Sequence, residues 1–231
     1  MSVFKRTNSF LGRYSRIIPF SKVLSPICSA AYHITAVLLA LLAIIAVVMV
    51  FVNVPAEQML LPPRMSAIKD DAGELISYSL KLGNGIKIIC PESTVTLSHI
   101  KTVFFCRIAI YALVLAVSVP VFRLLTMLFK SVAADDIMNE KNAKYINYIG
   151  LIVIAGNILV SILANLFNYI LINKFLGNTV DIGFVFDTDW MGAIVGIFII
   201  TIGTLYGYAC SKHAVMTSVA VYDNPGETNE R

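Results

Sequence analysis

Four long apolar runs, separated by more polar segments, dominate the chain and predict its main elements. A helix needs about 20 mostly apolar residues to cross the roughly 30 Å hydrocarbon core of a bilayer. Four stretches reach that length and carry charge only near their ends: residues 31–52, 102–129, 145–173 and 191–210. The pattern therefore predicts four transmembrane helices, which we call the first to the fourth span.

The composition agrees with this prediction and excludes other classes of protein. The 231 residues are 58% hydrophobic and 14% charged, whereas soluble domains are about 45–50% apolar and about 25% charged. The first span is longer than the apolar core of a secretory signal and follows a leader of residues 1–30, so we expect a retained anchor. The expected fold class is an all-α membrane bundle of four transmembrane helices.

Lysine and arginine indicate which side of the membrane each segment occupies, because they are enriched in cytoplasmic loops. They concentrate in the leader, in the loop 130–144 and, more sparsely, in the tail 211–231. The long segment 53–101 also holds five, but short loops carry the orienting weight. The short segment 174–190 instead carries several aspartates and almost no basic residue. We therefore expect both termini to be cytoplasmic, with residues 53–101 and 174–190 forming two outer loops.

The leader interleaves aromatic with basic side chains, which predicts contact with membrane lipid. The residues concerned are Phe4, Lys5, Arg6, Phe10, Arg13, Tyr14, Arg16, Phe20 and Lys22. Segments of this kind lie in the bilayer interface and attract anionic lipid. Because the bilayer already offers a phosphate surface, we expect no direct nucleic-acid partner.

The first outer loop shows the alternation of apolar and polar residues that is typical of strands. Two such runs flank an Asn-Gly pair at residues 84–85, and their apolar positions are Ile76, Tyr78, Leu80 and Leu82, then Ile86, Ile88 and Cys90. This pattern predicts a β-hairpin. Residues 180–186 predict a further short strand. Three strands with an apolar face can be stable in water, whereas an isolated hairpin is only marginally stable. We expect a small extracytoplasmic β-cap formed by the two outer loops, serving either as a packing lid or as a sensing surface.

No catalytic, metal-binding or cofactor-binding set of residues can be assembled from the sequence. The histidines have no partners at zinc-ligand spacing, and neither a phosphate-binding glycine loop nor a catalytic serine elbow occurs. No Asp, Glu, Lys or His lies at the centre of a span, which disfavours ion-coupled transport. Arg107 and Arg123 lie near span ends, from which their side chains can extend to the interface. A disulfide between Cys90 and Cys106 is left open.

Two stripes of polar or small residues mark the third and fourth spans. The third span carries Asn157, Ser161, Asn165 and Asn168 on one helical face, and the fourth carries Gly192, Gly196, Gly203 and Gly207. Small residues let helices approach closely, and buried amides bond across the gap. The stripes therefore predict either a packing interface between the two spans or the lining of a polar cavity.

The loop between the second and third spans is a candidate contact surface for a soluble cytoplasmic regulatory protein. Its polar residues are Asp135, Asp136, Glu140, Lys141 and Asn142. They lack the alternating oxygen ligands of a calcium-binding loop. We therefore interpret them as a solvated surface that a partner can contact.

The stretch from Arg123 to Gly150, RLLTMLFKSVAADDIMNEKNAKYINYIG, resembles the bacterial membrane family called domain of unknown function 2975. The similar positions are Leu124, Leu125, Asn142, Ile149 and Gly150, together with Gly207 and the acidic tail at 223–228. The resemblance implies four spans in a bacterial cytoplasmic (inner) membrane. It also implies small helix-turn-helix regulators as a class of partner. The family has no established activity, so the resemblance implies none for this chain.

These observations favour a non-enzymatic sensory or regulatory bundle. The alternative is a small transport or pore component that uses the polar stripe of the third span as its lining, which implies a homo-oligomer. An intramembrane enzyme is disfavoured because no pair of nucleophile and base can be named.

Overall fold

A computed structural model describes residues 20–51, 61–69, 71–82, 87–177 and 190–216 in full, and the helical backbone of 3–19 and 217–223. It contains four long helices: α1 (Val3–Phe51), α2 (Leu97–Ala133), α3 (Glu140–Leu176) and α4 (Trp190–Asp223). Each includes a window long and apolar enough to cross a membrane. The prediction of four long apolar helices is confirmed, and α1 additionally extends through the predicted leader.

A small antiparallel sheet precedes α2 in the chain. Its strands are β1 (Met65–Lys69), β2 (Leu75–Lys81) and β3 (Lys87–Pro91), in the order β1-β2-β3. The predicted hairpin is confirmed, because β2 pairs with β3 in a register that places Tyr78 opposite Cys90. Its Asn-Gly turn lies outside the described residues.

The third described strand comes from the first outer loop, and the strand predicted in the second outer loop stays a prediction. All three described strands come from the first outer loop, whereas the strand predicted at residues 180–186 lies outside the described part of the chain. A sheet built jointly by both loops is therefore not what the described residues form. The sequence pattern did not predict β1 because only Met65 of this strand is buried, so it has little apolar periodicity.

The contacts divide the chain into two compact units. We call them the sheet unit (residues 36–116 and 156–189) and the loop unit (residues 1–35, 117–155 and 190–231). The core of the sheet unit joins one face of the sheet to the beginning of α2 and the end of α3, and it includes Leu80, Cys90, Ile100, Val103, Cys106 and Leu171. Burying a Leu, Ile or Val side chain stabilises a fold by roughly 1.5–3 kcal/mol. The sheet is therefore packed firmly onto these helix ends.

Polar contacts reinforce the same junction in the sheet unit. His99 Nδ1 accepts a hydrogen bond from the backbone N–H of Thr96 at 3.2 Å, in the manner of a capping box at the start of α2. His99 Nε2 consequently donates to the carbonyl oxygen of Lys174 at 3.1 Å, near the end of α3. The Lys174 ammonium returns to α2 by donating to Thr102 Oγ1 at 2.6 Å. These bonds hold the two helix ends together beneath the sheet.

Candidate functional site

The loop that connects α2 to α3 is built by a defined helix ending. The N–H of Asp136 donates to the Ser131 carbonyl at 3.1 Å, and the N–H of Asp135 donates to the Val132 carbonyl at 3.2 Å. This pair of bonds is the Schellman ending of a helix, whose final residue adopts a left-handed conformation. Asp135 supplies it with φ of 62°. An aspartate is among the few non-glycine residues that take this conformation readily.

The beginning of α3 is fixed by an asparagine cap. The Asn139 side-chain oxygen accepts a hydrogen bond from the N–H of Lys141 at 2.8 Å. The Asn139 amide also donates to the carboxylate of Asp136. Glu140 occupies the first turn, where a negative charge interacts favourably with the helix dipole. The loop therefore ends at a well-satisfied helix start.

Side chains from three helices hold the main-chain carbonyls of this loop. Asn142 Nδ2, in α3, donates to the carbonyl oxygen of Asp136 at 2.9 Å and to that of Ile137 at 3.4 Å. Ser131 Oγ, in α2, also donates to the Asp136 carbonyl, at 3.1 Å. The hydroxyl of Tyr206, in α4, donates to the Ile137 carbonyl. The loop is thus held both by neighbouring residues of α2 and α3 and by Tyr206, which is 69 residues away in the sequence.

The pinned loop displays charge on its outer surface. Asp135, Asp136, Glu140 and Lys141 are exposed, as expected for a contact surface. Asn142, however, is 0% exposed. Its assignment to a partner-contacting surface is therefore wrong, because its amide is committed to holding the loop from inside. Tyr206 was missed by the sequence reasoning, since nothing in its local pattern connects it with a loop almost seventy residues away.

The glycine stripe of α4 packs against α3 within the loop unit. A β-carbon added at Gly196 would lie 2.8 Å from the Gly150 carbonyl oxygen, and one at Gly207 would lie 3.3 Å from Ala143 Cβ. A β-carbon at Gly203 would collide with the side-chain oxygen of Asn147. Gly192, the fourth member of the predicted stripe, is half-buried. The described glycine contacts are close helix packing of the kind that small residues permit.

The described partners of Gly196, Gly203 and Gly207 are not the ones that the sequence predicted. The described contacts are to Ala143, Asn147, Gly150 and Ile154, which precede the asparagine stripe along α3. Asn157, Ser161, Asn165 and Asn168 belong to the sheet unit and are half-buried there. Spacing alone could not identify the contact, because residues 143, 147, 150 and 154 continue the same helical periodicity.

Arg107 of α2 is more enclosed than the sequence suggested. It is only 8% exposed and is enclosed by the protein, whereas its place near a span end led us to expect a side chain that extends freely. Its Nη2 donates to the carbonyl oxygen of Lys81, at the end of β2, at 3.2 Å. Its Nε is buried without a hydrogen-bond partner. A buried cation therefore contacts the end of β2. The sequence shows only how far Arg107 lies from the end of its span, and it does not show this contact.

The cysteines of the sheet unit are buried free thiols. Cys90 and Cys106 belong to the same apolar core but form no disulfide. Burial raises the pKa of the Cys90 thiol above its ordinary value. Both side chains act as small apolar residues in this core.

Among the residues that the structure describes, no group of three His, Cys, Asp or Glu side chains is placed to hold a metal ion. Comparison with models of known protein families, with curated proteins and with solved structures found no match. The resemblance of residues 123–150 to the family called domain of unknown function 2975 stays a prediction.

Proposed function

We propose that this chain is an integral membrane protein whose four helices cross the bilayer and which acts as a sensory or regulatory protein without catalysis. The apolar windows of its helices support insertion, with mean hydropathies of 3.2, 2.3, 2.3 and 1.9 in chain order. Large apolar side chains such as Phe198 and Leu205 of α4 are exposed. Insertion into a lipid bilayer would remove these exposed apolar side chains from water.

The proposed orientation follows from charge. The basic residues of 1–30 and 130–144 favour the cytoplasmic side for both segments. On this proposal the α2–α3 loop faces the cytoplasm, and the sheet lies on the other side of the membrane. The resemblance to a bacterial family supports a bacterial cytoplasmic membrane. Reporter fusions after residue 231 and within residues 71–74 test this orientation, and equal reporter activity at both positions would contradict it.

The observation that carries the regulatory proposal is the contrast between the fixed backbone and the exposed charges of the α2–α3 loop. Asn142, Ser131 and Tyr206 hold its carbonyls. A surface that is ordered before binding loses less conformational entropy when a partner docks. With three carboxylates and one ammonium exposed, the surface suits a soluble protein that presents mainly basic side chains.

The experiment compares two variants that remove the same kinds of charge. The loop variant combines Asp135→Ala, Asp136→Ala, Glu140→Ala and Lys141→Ala. The matched control combines Asp71→Ala, Glu74→Ala, Glu92→Ala and Lys87→Ala in the sheet region. Proteins cross-linked in cells are captured in mild detergent and quantified by mass spectrometry. We expect one soluble protein to be captured by the parent and the control and lost from the loop variant.

Two results would count against this proposal. Equal capture by the parent and the loop variant would remove the role of the loop. Loss of capture from both variants would show a general effect of charge or folding, and it would equally contradict a specific surface. Purified captured protein should then bind the parent directly, with an affinity that falls as salt increases.

A further inference from the structure

Arg107 is a buried cation without an acidic partner among the described residues. The charged groups that act on it there do not include a carboxylate, and its Nε bonds to nothing. Arg107 lies ten residues after Leu97, the first residue of α2, which corresponds to about 15 Å along the helix. An ionised group removed from water is strongly unfavourable unless an opposite charge accompanies it.

A second cation increases the need for a counter-charge. Arg64 carries this second positive charge. Arg64 is held nearby because its carbonyl accepts a hydrogen bond from the N–H of Lys81 at 2.8 Å, and its backbone is left-handed with φ of 71°. Lys81 therefore connects both arginines, through its N–H to one and through its carbonyl to the other. Two like charges so placed attract an anion.

An apolar cavity adjoins this pair. Its volume is about 230 Å³, and it is lined by Leu42, Ile45, Pro63, Phe104, Arg107, Ile108 and Tyr111. This is smaller than the roughly 300–1,000 Å³ of pockets that enclose a whole drug-sized ligand. It suits a segment of hydrocarbon chain, because the wall contributed by α1 and α2 is aliphatic and aromatic. The polar part of such a ligand would remain outside the cavity, near Arg64 and Arg107.

We propose that this cavity and its two arginines form a binding site for one anionic phospholipid. An acyl chain occupies the cavity between α1 and α2, and the lipid phosphate pairs with Arg107 and Arg64. Guanidinium groups pair with phosphate through two parallel hydrogen bonds, and Arg107 makes no ion pair with a described carboxylate that would compete with a phosphate. The site goes beyond the proposed regulatory function, and it does not depend on the α2–α3 loop or on any protein partner.

The test measures lipid binding to the purified full-length chain after delipidation in mild detergent. The probes are fluorescent phosphatidylglycerol, fluorescent phosphatidylcholine, oleate and inorganic phosphate. We expect phosphatidylglycerol to bind at least about fivefold more tightly than phosphatidylcholine. Equal affinities would overturn the requirement for net negative charge. Oleate binding as tightly as phosphatidylglycerol would assign the site to a fatty acid, and binding of inorganic phosphate alone would reduce it to an anion site; either result overturns the proposal.

Three variants separate binding from folding. Arg107→Gln removes the buried charge, Ile45→Trp fills the cavity, and Arg123→Gln removes an exposed charge elsewhere on α2 as the matched control. We expect phosphatidylglycerol affinity to fall about tenfold or more in the first two variants and to stay unchanged in the third. Undiminished affinity in Arg107→Gln overturns the site.

A thermal readout covers the case in which Arg107→Gln folds poorly. Phosphatidylglycerol should raise the unfolding temperature of the parent and of Arg123→Gln, because a ligand that binds only the folded state stabilises it. It should raise that of Ile45→Trp much less. An equal rise in the parent and Ile45→Trp would overturn the assignment of the acyl chain to this cavity.

Discussion

The side-chain amide of Asn142 donates a hydrogen bond of 2.9 Å to the main-chain carbonyl of Asp136, so a fully buried residue of α3 fixes an exposed residue of the preceding loop. The exposed carboxylates of the loop owe their positions to this buried contact. A buried amide that bonds main-chain carbonyls is costly to remove, because the carbonyls are left without their donor. The relationship connects the stability of the loop unit with the shape of its candidate contact surface.

We therefore expect Asn142→Ala to lower the free energy of unfolding by about 1–3 kcal/mol. Hydrogen exchange of the amides of residues 134–139 should accelerate in the same variant, since the loop loses its internal support. Titration with sodium dodecyl sulfate measures the first effect, and mass spectrometry of exchanged peptides measures the second. Lys144→Ala, at an exposed position on α3, is the control. Unchanged exchange in Asn142→Ala would show that the loop does not depend on this amide.

Close packing of α3 against α4 predicts a graded series of glycine substitutions. At Gly150 a β-carbon would lie 2.7 Å from the Gly196 carbonyl oxygen, whereas at Gly207 it would make a contact of 3.3 Å with Ala143 Cβ. We expect Gly150→Ala to destabilise the protein by about 1–3 kcal/mol through overpacking. Gly207→Ala should cost less than about 1 kcal/mol, because a small shift of Ala143 relieves its contact. Equal costs in the same detergent titration would contradict the described packing.

The burial of Cys90 predicts that its thiol reacts only after the sheet opens. The side chain is 5% exposed, and burial raises its pKa above the ordinary 9.0, so little thiolate is available in the folded state. We expect maleimide to label it slowly between about pH 7 and 9, and rapidly after unfolding. The comparison variant is Ile89→Cys with Cys90→Ser, because Ile89 is 57% exposed on the same strand. Equal labelling rates would contradict the burial of Cys90.

The same raised pKa has a consequence for stability. Well below the ordinary pKa of 9.0, the Cys90 thiol is protonated in both the folded and the unfolded chain, and the stabilisation from its burial is fully present. As the pH rises further, the Cys90 thiol ionises first in the unfolded chain, because its pKa is lower there. The stabilisation from its burial is therefore lost as the pH approaches the pKa of the folded state. We expect the parent to lose more stability than Cys90→Ala between pH 8 and pH 10. Parallel losses in the two proteins would show that Cys90 does not titrate with unfolding.

Flux measurements distinguish the regulatory proposal from the alternative of a pore. We expect proteoliposomes of the parent to pass ions and small polar solutes no faster than empty liposomes do. A flux that is lost in Asn165→Leu but kept in the neighbouring Ile162→Leu would instead support a pore lined by the asparagine stripe. Circular dichroism of both variants checks that the helices remain folded.

Several features could be predicted from the sequence because their physical cause is local. The long apolar runs require helices, since a helix satisfies its own backbone hydrogen bonds in an apolar surrounding. Alternation along residues 76–82 and 86–90 was enough to predict the β2–β3 hairpin, whose pairing follows from the pleat of a strand. The charges of the α2–α3 loop were also identified correctly as exposed, because an ionised side chain is costly to bury without a partner.

Other features depend on how side chains pack together, and only the tertiary structure decided them. The polarity of Asn142 predicted an exposed side chain like those of its charged neighbours. Its hydrogen bonds to the carbonyls of Asp136 and Ile137 instead place it inside the loop unit. Arg107 has the same local setting as Arg123, yet packing of the sheet encloses only the first of these side chains. Hydrophobic pattern determines which segments leave water, whereas the partners of a buried polar group are set by the geometry of packed elements. The sequence by itself therefore determined the helices and the hairpin, and the tertiary structure decided which polar side chains hold them together.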